Sequence, residues 1–231
     1  MRCLVVPITL RLDRLHLTLQ AAFGWTNSHL FEFLAGDGRW GIPDPDGDFD
    51  PQPIDARKTR LSNIVQETGA KTIHYLYDFG DSWDHVIKLE KWFDNTTTEG
   101  LPLLLEAAGR CPPEDVGGAS GYAEYLDAIS DPTHPDHEQM RRWGPERFDP
   151  TVIDRKALEA PSMHCRKYGS LGDAPREQNR RQAPFKRAAE LRLPFSAIRR
   201  GSKKPGKYEP LRSLGMRSST VPARVSQVRA L

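Results

Sequence analysis

The sequence has little cysteine and lacks long apolar runs. Cys3, Cys111 and Cys165 stand far apart in 231 residues. That spacing leaves no disulfide framework and no CxxC zinc pattern, and it suits a reducing compartment, read here as the cytoplasm. No stretch approaches the ~20 consecutive apolar residues of a membrane helix. The opening MRCLVVPITLRLDR is interrupted by Pro7, Arg11 and Asp13 before it reaches the length of a secretory core. A soluble chain with no membrane partner is the expectation. There is also no internal repeat, no GKS phosphate loop, no HExxH pair and no GxSxG elbow. Asp78-Phe79-Gly80 spells the kinase metal triplet, but no HRD loop accompanies it, so the match carries no kinase chemistry.

Charge is strongly asymmetric. Residues 1–160 hold 16 Lys+Arg and 27 Asp+Glu, a formal net of −11, while residues 161–231 hold 17 and 4, a net of +13. A domain that grips DNA gathers Lys and Arg against phosphates, so the first 160 residues carry the wrong sign and nucleic acid is expected only through the tail. Beyond Ala160 the composition turns to Arg, Ser, Pro and Gly with no sustained period, which predicts a disordered basic tail over 161–231. Translation of a GC-rich gene in a shifted frame is the competing origin for it.

Within 1–160 the elements are legible. Leu12, Leu15, Leu19, Ala22 and Phe23 mark a helical stripe, with Thr9 as N-cap and Gly24 as the stop. HLFEFLAG reads as a strand ending at Gly36, and the Gly-, Pro- and Asp-rich residues 36–53 as an exposed loop. TRLSNIVQETG offers a short helix. KTIHYLYD, FGDS and WDHVIKLEKW then form a hairpin with Ile73, Tyr75 and Tyr77 on one face and Trp83, His85, Ile87 and Leu89 sharing a face of the second strand. LPLLLEAAGR is a short helix or strand, GYAEYLDAIS a helix, and DPTHPDHEQMRRW a second helix with Pro135 in its first turn. The mixture predicts an α+β fold, an antiparallel sheet with a central hairpin and packed helices.

Four ordered blocks, LHLTLQAAFGWTNSHLFEF, YLYDFGDSWDHVIKLE, CPPEDVGGASGYAEYLDAISDPTHPDH and RFDPTVID, resemble the plasmid pRiA4b ORF-3-like family across about residues 4–158. The resemblance implies a compact α+β domain found on bacterial plasmids and mobile elements, with no assigned biochemical activity. It also implies an additional N-terminal strand that this chain lacks. The neighbour of that strand would then present an unpaired edge, through which a homodimer could form. A resolvase-like DNA-processing role is the second reading the family brings. However, residues 1–160 hold neither a serine nucleophile backed by an arginine cluster nor an Arg–His–Arg set around a tyrosine.

Ionisable and aromatic residues crowd two loop regions. Tyr77, Asp78, Asp81, Trp83 and His85 surround the hairpin turn; Glu114, Asp115 and Tyr122 follow Cys111. Together they are the candidate binding surface for a protein or small-molecule ligand. The competing reading gives the aspartates backbone-capping roles and makes His85 a core histidine satisfied locally. Asp131, His134 and His137, with Asp136 and the Cys111–Asp115 loop nearby, offer donors for a divalent metal and for a metal-dependent hydrolase, against a reading as helix caps. Asp44, Asp46, Asp48 and Asp50 read as a solvated acidic loop, and Gly117, Gly118 and Gly121 as a tight loop feeding a helix.

Overall fold

The computed structural model describes residues 1–47, 51–95, 100–155, 158 and 186–193. The first helical stripe forms α1 (Leu12–Phe23), with Leu12, Leu15 and Leu19 fully buried. Gly24 ends it in the left-handed region at φ 80°, where its N–H reaches the Gln20 and Ala21 carbonyls. Thr9 does not cap this helix. The N-cap is Arg11, in extended backbone with no side-chain cap, and its guanidinium pairs instead with Asp13 in the first turn at 2.8 Å. The short helix α2 (Leu61–Thr68) buries Leu61 and Ile64.

The hairpin forms as expected from β5 (Thr72–Tyr77) and β6 (Trp83–Asn95), with Tyr77 opposite Trp83, Tyr75 opposite His85 and Ile73 opposite Ile87. It anchors a mixed eight-stranded sheet that also holds β1 (Arg2–Pro7), β2 (Phe31–Ala35), β3 (Gly38–Gly41), β4 (Ile54–Asp55), β7 (Leu103–Ala107) and β8 (Lys186–Leu193). The order is β4-β3-β2-β5-β6-β8-β1-β7, antiparallel throughout except for the β3–β4 pair. Outside the sheet, α3 (Gly118–Ser130) packs on α4 (His137–Trp143). The class is α+β. No helix among the described residues is long and apolar enough to cross a membrane.

Several boundaries differ from the sequence reading. Residues 36–53 are not loop throughout, because β3 returns against β2 and buries Trp40. LPLLLEAAGR resolves as a strand. Asp136 is the N-cap of α4, so Pro135 precedes that helix rather than occupying its first turn.

The largest correction concerns the basic tail. Residues 186–193 leave it and become β8, hydrogen-bonded to β6 on one side and to β1 on the other. Ala189, Leu191 and Leu193 alternate onto the core face and are at most 2% exposed, a period-two pattern that the surrounding arginines obscure. The rest of the segment read as a tail lies outside the described residues. β1 therefore has no open edge, and the sheet ends at β4 and β7 instead. On β7, Arg155 Nη2 donates to the Leu104 and Leu105 carbonyls at 3.1 and 2.8 Å.

The core beneath the hairpin is partly polar. His16, on α1, stacks on Phe31 with ring centroids 3.7 Å apart. The Tyr75 hydroxyl accepts from Gln20 Nε2 at 2.9 Å and so donates to His16 Nδ1 at 2.7 Å, while His16 Nε2 donates to Asn27 Oδ1. That arrangement suits a neutral imidazole, and burial depresses the His16 pKa to about 4. His85, stacked on Phe23, is likewise lowered to about 4 by burial.

Both histidines bind protons more readily when unfolded than when folded, so the unfolded chain gains protons first as the solution is acidified. Their contribution to stability is complete above pH ~6.5 and is lost as pH falls from there toward ~4, by up to ~3 kcal/mol for each histidine. Urea denaturation midpoints should therefore drop between pH 7 and pH 4.5, and His16→Gln should flatten part of that slope. An unchanged slope in the variant would remove His16 from the account.

Candidate functional site

Three loops meet at one end of the hairpin: residues 24–30 after α1, the turn 78–82 between β5 and β6, and residues 110–118 leading into α3. Aromatic packing joins them first. Trp25 lies on Tyr77 with centroids 5.0 Å apart, and its indole N–H donates to the Pro112 carbonyl at 2.9 Å. Arg2 is buried and steadies the third loop from below: its guanidinium donates to the Ala108 and Gly109 carbonyls at 3.1 and 2.9 Å and reaches Cys111 Sγ at 3.4 Å.

Tyr77 is the hub of the hydrogen bonding. Its hydroxyl donates to Glu114 Oε1 at 2.6 Å and accepts from the Ser28 N–H at 3.1 Å. Burial, reinforced by the Glu114 carboxylate, drives its pKa upward, so the phenol stays protonated. The other Glu114 oxygen accepts from the Thr26 N–H at 3.0 Å and from the Thr26 hydroxyl. Asn27, held by Gln20 Oε1 at 3.0 Å and by His16, fastens the first loop to the buried network.

Asp78 and Asp81 shape the turn as backbone acceptors. Asp78 Oδ1 takes the Gly80 and Asp81 N–H groups at 3.0 and 3.3 Å, an Asx-type arrangement. Asp81 Oδ2 takes the Gly117 N–H at 3.1 Å, tying the turn to the third loop. The approach is so close that a Cβ on Gly118, at φ +67°, would lie 2.5 Å from the Asp81 carbonyl oxygen. Of the five non-glycine residues with positive φ among those described, Asn27, Asp78, Ser82 and Asp115 all belong to these loops. Such backbone persists where the surroundings enforce it and concentrates at functional sites.

These constraints bring together His29, Asp78 and Asp115. One donor atom from each lies within 4.8 Å of the other two, and among the described residues no other group of three His, Cys, Asp or Glu does so. His29 Nε2 stands 3.1 Å from Asp115 Oδ1 and 3.7 Å from Asp78 Oδ2, yet it is buried and hydrogen-bonds to neither. Donors sharing a tetrahedral zinc with bonds of about 2.0–2.2 Å stand roughly 3.3–3.5 Å apart. The two His29 distances fall on either side of that separation. Of the trio, Asp115 alone lines a cavity of about 570 Å³, together with Tyr125, Asp136, His134 and Trp143.

The residues expected from sequence divide accordingly. Tyr77, Asp78, Asp81, Glu114 and Asp115 converge. Trp83 and His85 sit under the loops against Trp25, with centroids at 6.1 and 5.4 Å, and His85 Nδ1 reaches the Trp83 carbonyl at 3.2 Å. Tyr122 is buried against Phe148. Asp131, His134 and His137 do not gather around a common point. Asp131 accepts from Thr133, His134 Nδ1 from the Asp136 N–H, and His137 Nδ1 bonds to the Ala128 carbonyl at 2.8 Å. Gly117 and Gly118 serve the tight loop. Of the acidic loop, Asp44 Oδ1 accepts from the Asp46 N–H at 3.2 Å, and Asp48 and Asp50 lie outside the described residues. His29 was missed because its two partners lie dozens of residues away, and only the signal of a polar loop joining two buried elements marks it.

Comparison with known proteins places this chain in a family. A protein of Sinorhizobium fredii, described as uncharacterized protein y4hQ, is 56% identical over 160 residues, which cover 68% of this chain and 80% of the relative. The crystal structure of MM3350 from Methanosarcina mazei Go1, a protein of unknown function, superposes with a TM-score of 0.57 at 27% identity, covering 67% of this chain and 94% of that one. The profile of the plasmid pRiA4b ORF-3-like proteins matches residues 1–157, which include all three loops and every residue of the His29 trio. The chain belongs to the plasmid pRiA4b ORF-3-like protein family.

Proposed function

We propose that this domain is a binding or accessory module built around a divalent cation, with His29, Asp78 and Asp115 as its protein ligands. The supporting observation is the buried His29 Nε2, which faces two carboxylate oxygens at 3.1 and 3.7 Å without hydrogen-bonding to either. One imidazole and two carboxylates suit zinc or manganese better than calcium, which takes oxygen ligands only. Three protein donors leave positions for a bound molecule, and the cavity beside Asp115 gives that molecule room. Its donor atom would complete the coordination. Association with plasmids or mobile elements belongs to this proposal as the setting the family name suggests.

The donor count also favours a second reading. Catalytic zinc sites hold three protein ligands and an open position, at which a metal-bound water is activated. Metal-dependent turnover of ester or phosphodiester substrates, abolished by Asp78→Asn, would select hydrolysis over binding alone.

Calorimetric titration of untagged, chelator-treated protein with Zn²⁺ or Mn²⁺ should show one site per chain. His29→Ala and Asp115→Asn should each weaken it by roughly a hundredfold, somewhat more than loss of an outer partner. His134→Ala and His137→Ala should leave it unchanged. Absence of a stoichiometric site at tens of micromolar metal would end the cation reading.

The loops must also keep their close approach. Gly118→Ala forces a Cβ against the Asp81 carbonyl in left-handed backbone and should destabilise the fold by roughly 1–3 kcal/mol. Metal affinity should fall with it. A variant with the parent denaturation midpoint and parent affinity would show that the contact does not hold the site.

A further inference from the structure

Strand β8 occupies a position that its place in the sequence does not prepare. The family match ends at residue 157, yet residues 186–193 lie inside the sheet between two strands of the matched region. Taken alone, the matched part has a slot one strand wide between β6 and β1, with a row of backbone groups on each side. β8 meets both rows: its residues pair with β1 from Arg2 to Pro7 and with β6 from Lys88 to Asn95.

The slot also discriminates among side chains. β8 exchanges three ion pairs with β6: Glu190 with Lys91 at 3.4 Å and Arg192 with Glu90 at 3.2 Å on the face away from the core, and Arg187 with Asp94 at 3.3 Å at the exposed end of the two strands. Cys3 of β1 adds a contact to Glu190 Oε1 at 3.5 Å. Ala188 and Ala189 are fully buried, so this part of the slot takes small residues, whereas Leu191 and Leu193 fill the core side. From 187 to 193 the slot reads basic, small, small, acidic, leucine, basic, leucine. A one-residue slip would turn the leucines outward and break the charge pairing at once.

We propose that the β6–β1 slot is a strand-acceptor site whose ligand is an extended segment of this pattern, filled here by the chain's own residues 186–193 and open to the same segment from a second copy. This rests on the sheet alone and is independent of the cation. Strand addition draws affinity from main-chain hydrogen bonds and specificity from alternate side chains. Both are present here. The covalent connection, residues 159–185, could span on the order of 90 Å when extended, so distance does not dictate which molecule supplies the strand.

The test uses the full chain with a specific protease site inserted between residues 170 and 180. After the folded protein is cut, the fragment carrying 186–231 should co-elute with the body in native buffer. Brief partial denaturation and refolding with excess dye-labelled peptide of residues 184–195, standing for a second copy's segment, should exchange the peptide into the slot. Arg187→Glu with Arg192→Glu in the peptide should weaken capture roughly tenfold. A body carrying Asp94→Arg and Glu90→Arg should restore it. Departure of the fragment on cutting, failure to capture the unaltered peptide, or capture indifferent to charge reversal would each overturn the proposal.

Discussion

A sheet interrupted between β6 and β1 would leave two rows of peptide groups without partners, and the whole architecture depends on one eight-residue strand closing that gap. β8 joins the hairpin half of the sheet, β4-β3-β2-β5-β6, to the terminal pair β1 and β7. Its core-facing Ala189, Leu191 and Leu193 continue the apolar surface formed by Leu4 and Val6 on one neighbour and Leu89 on the other. Helix α1 packs onto this continuous surface, and the first loop of the candidate site begins where α1 stops at Gly24. The position of the loop thus follows from the integrity of the sheet.

The site adds a second tier of constraint. Tyr75 and Tyr77 are alternate residues on one strand and point to the same face, yet their hydroxyls serve different ends. Tyr75 completes a buried network with His16 and Gln20, whereas Tyr77 reaches the loops at Ser28 and Glu114. Two rigid phenols spaced along a strand therefore hold a polar cluster above an apolar floor, with Trp25 stacked between the tiers. The carboxylates at the top, Asp78 and Asp115, have His29 as their basic partner in ion-pair range among the described residues. Two negative charges facing one imidazole favour a cation between them.

Much of this was legible in the sequence where periodicity carried it. The α1 stripe, the alternation along β5 and the Gly-Asp turn of the hairpin each encode their structure locally, and the crowding of Asp and Glu at Tyr77–Asp81 and Glu114–Asp115 marks two of the loops that meet at the end of the hairpin. Two things were not encoded locally. His29 meets Asp78 and Asp115 only once loops distant in sequence are folded together. β8 combines alanine, a poor strand former, with charges that resemble the surrounding basic composition, and its strand character comes from neighbours with slots of matching size and sign. Conversely, His134 and His137 sit close together in sequence, but His134 Nδ1 accepts from the Asp136 N–H of the turn before α4 and His137 Nδ1 bonds to the Ala128 carbonyl of α3.

The contact between Cys3 and Glu190 joins two residues 187 positions apart. Ordering so distant a pair is slow, because the entropy of closing the intervening chain is lost before the contact is made. During synthesis β1 emerges long before β8, so between completion of β7 at Ala107 and arrival of Lys186 the nascent polypeptide holds both parts of the sheet without the strand that joins them. In that interval its two exposed seams invite pairing with other emerging chains. The interval between β7 and β8 is therefore the one in which such pairing competes with closure of the sheet.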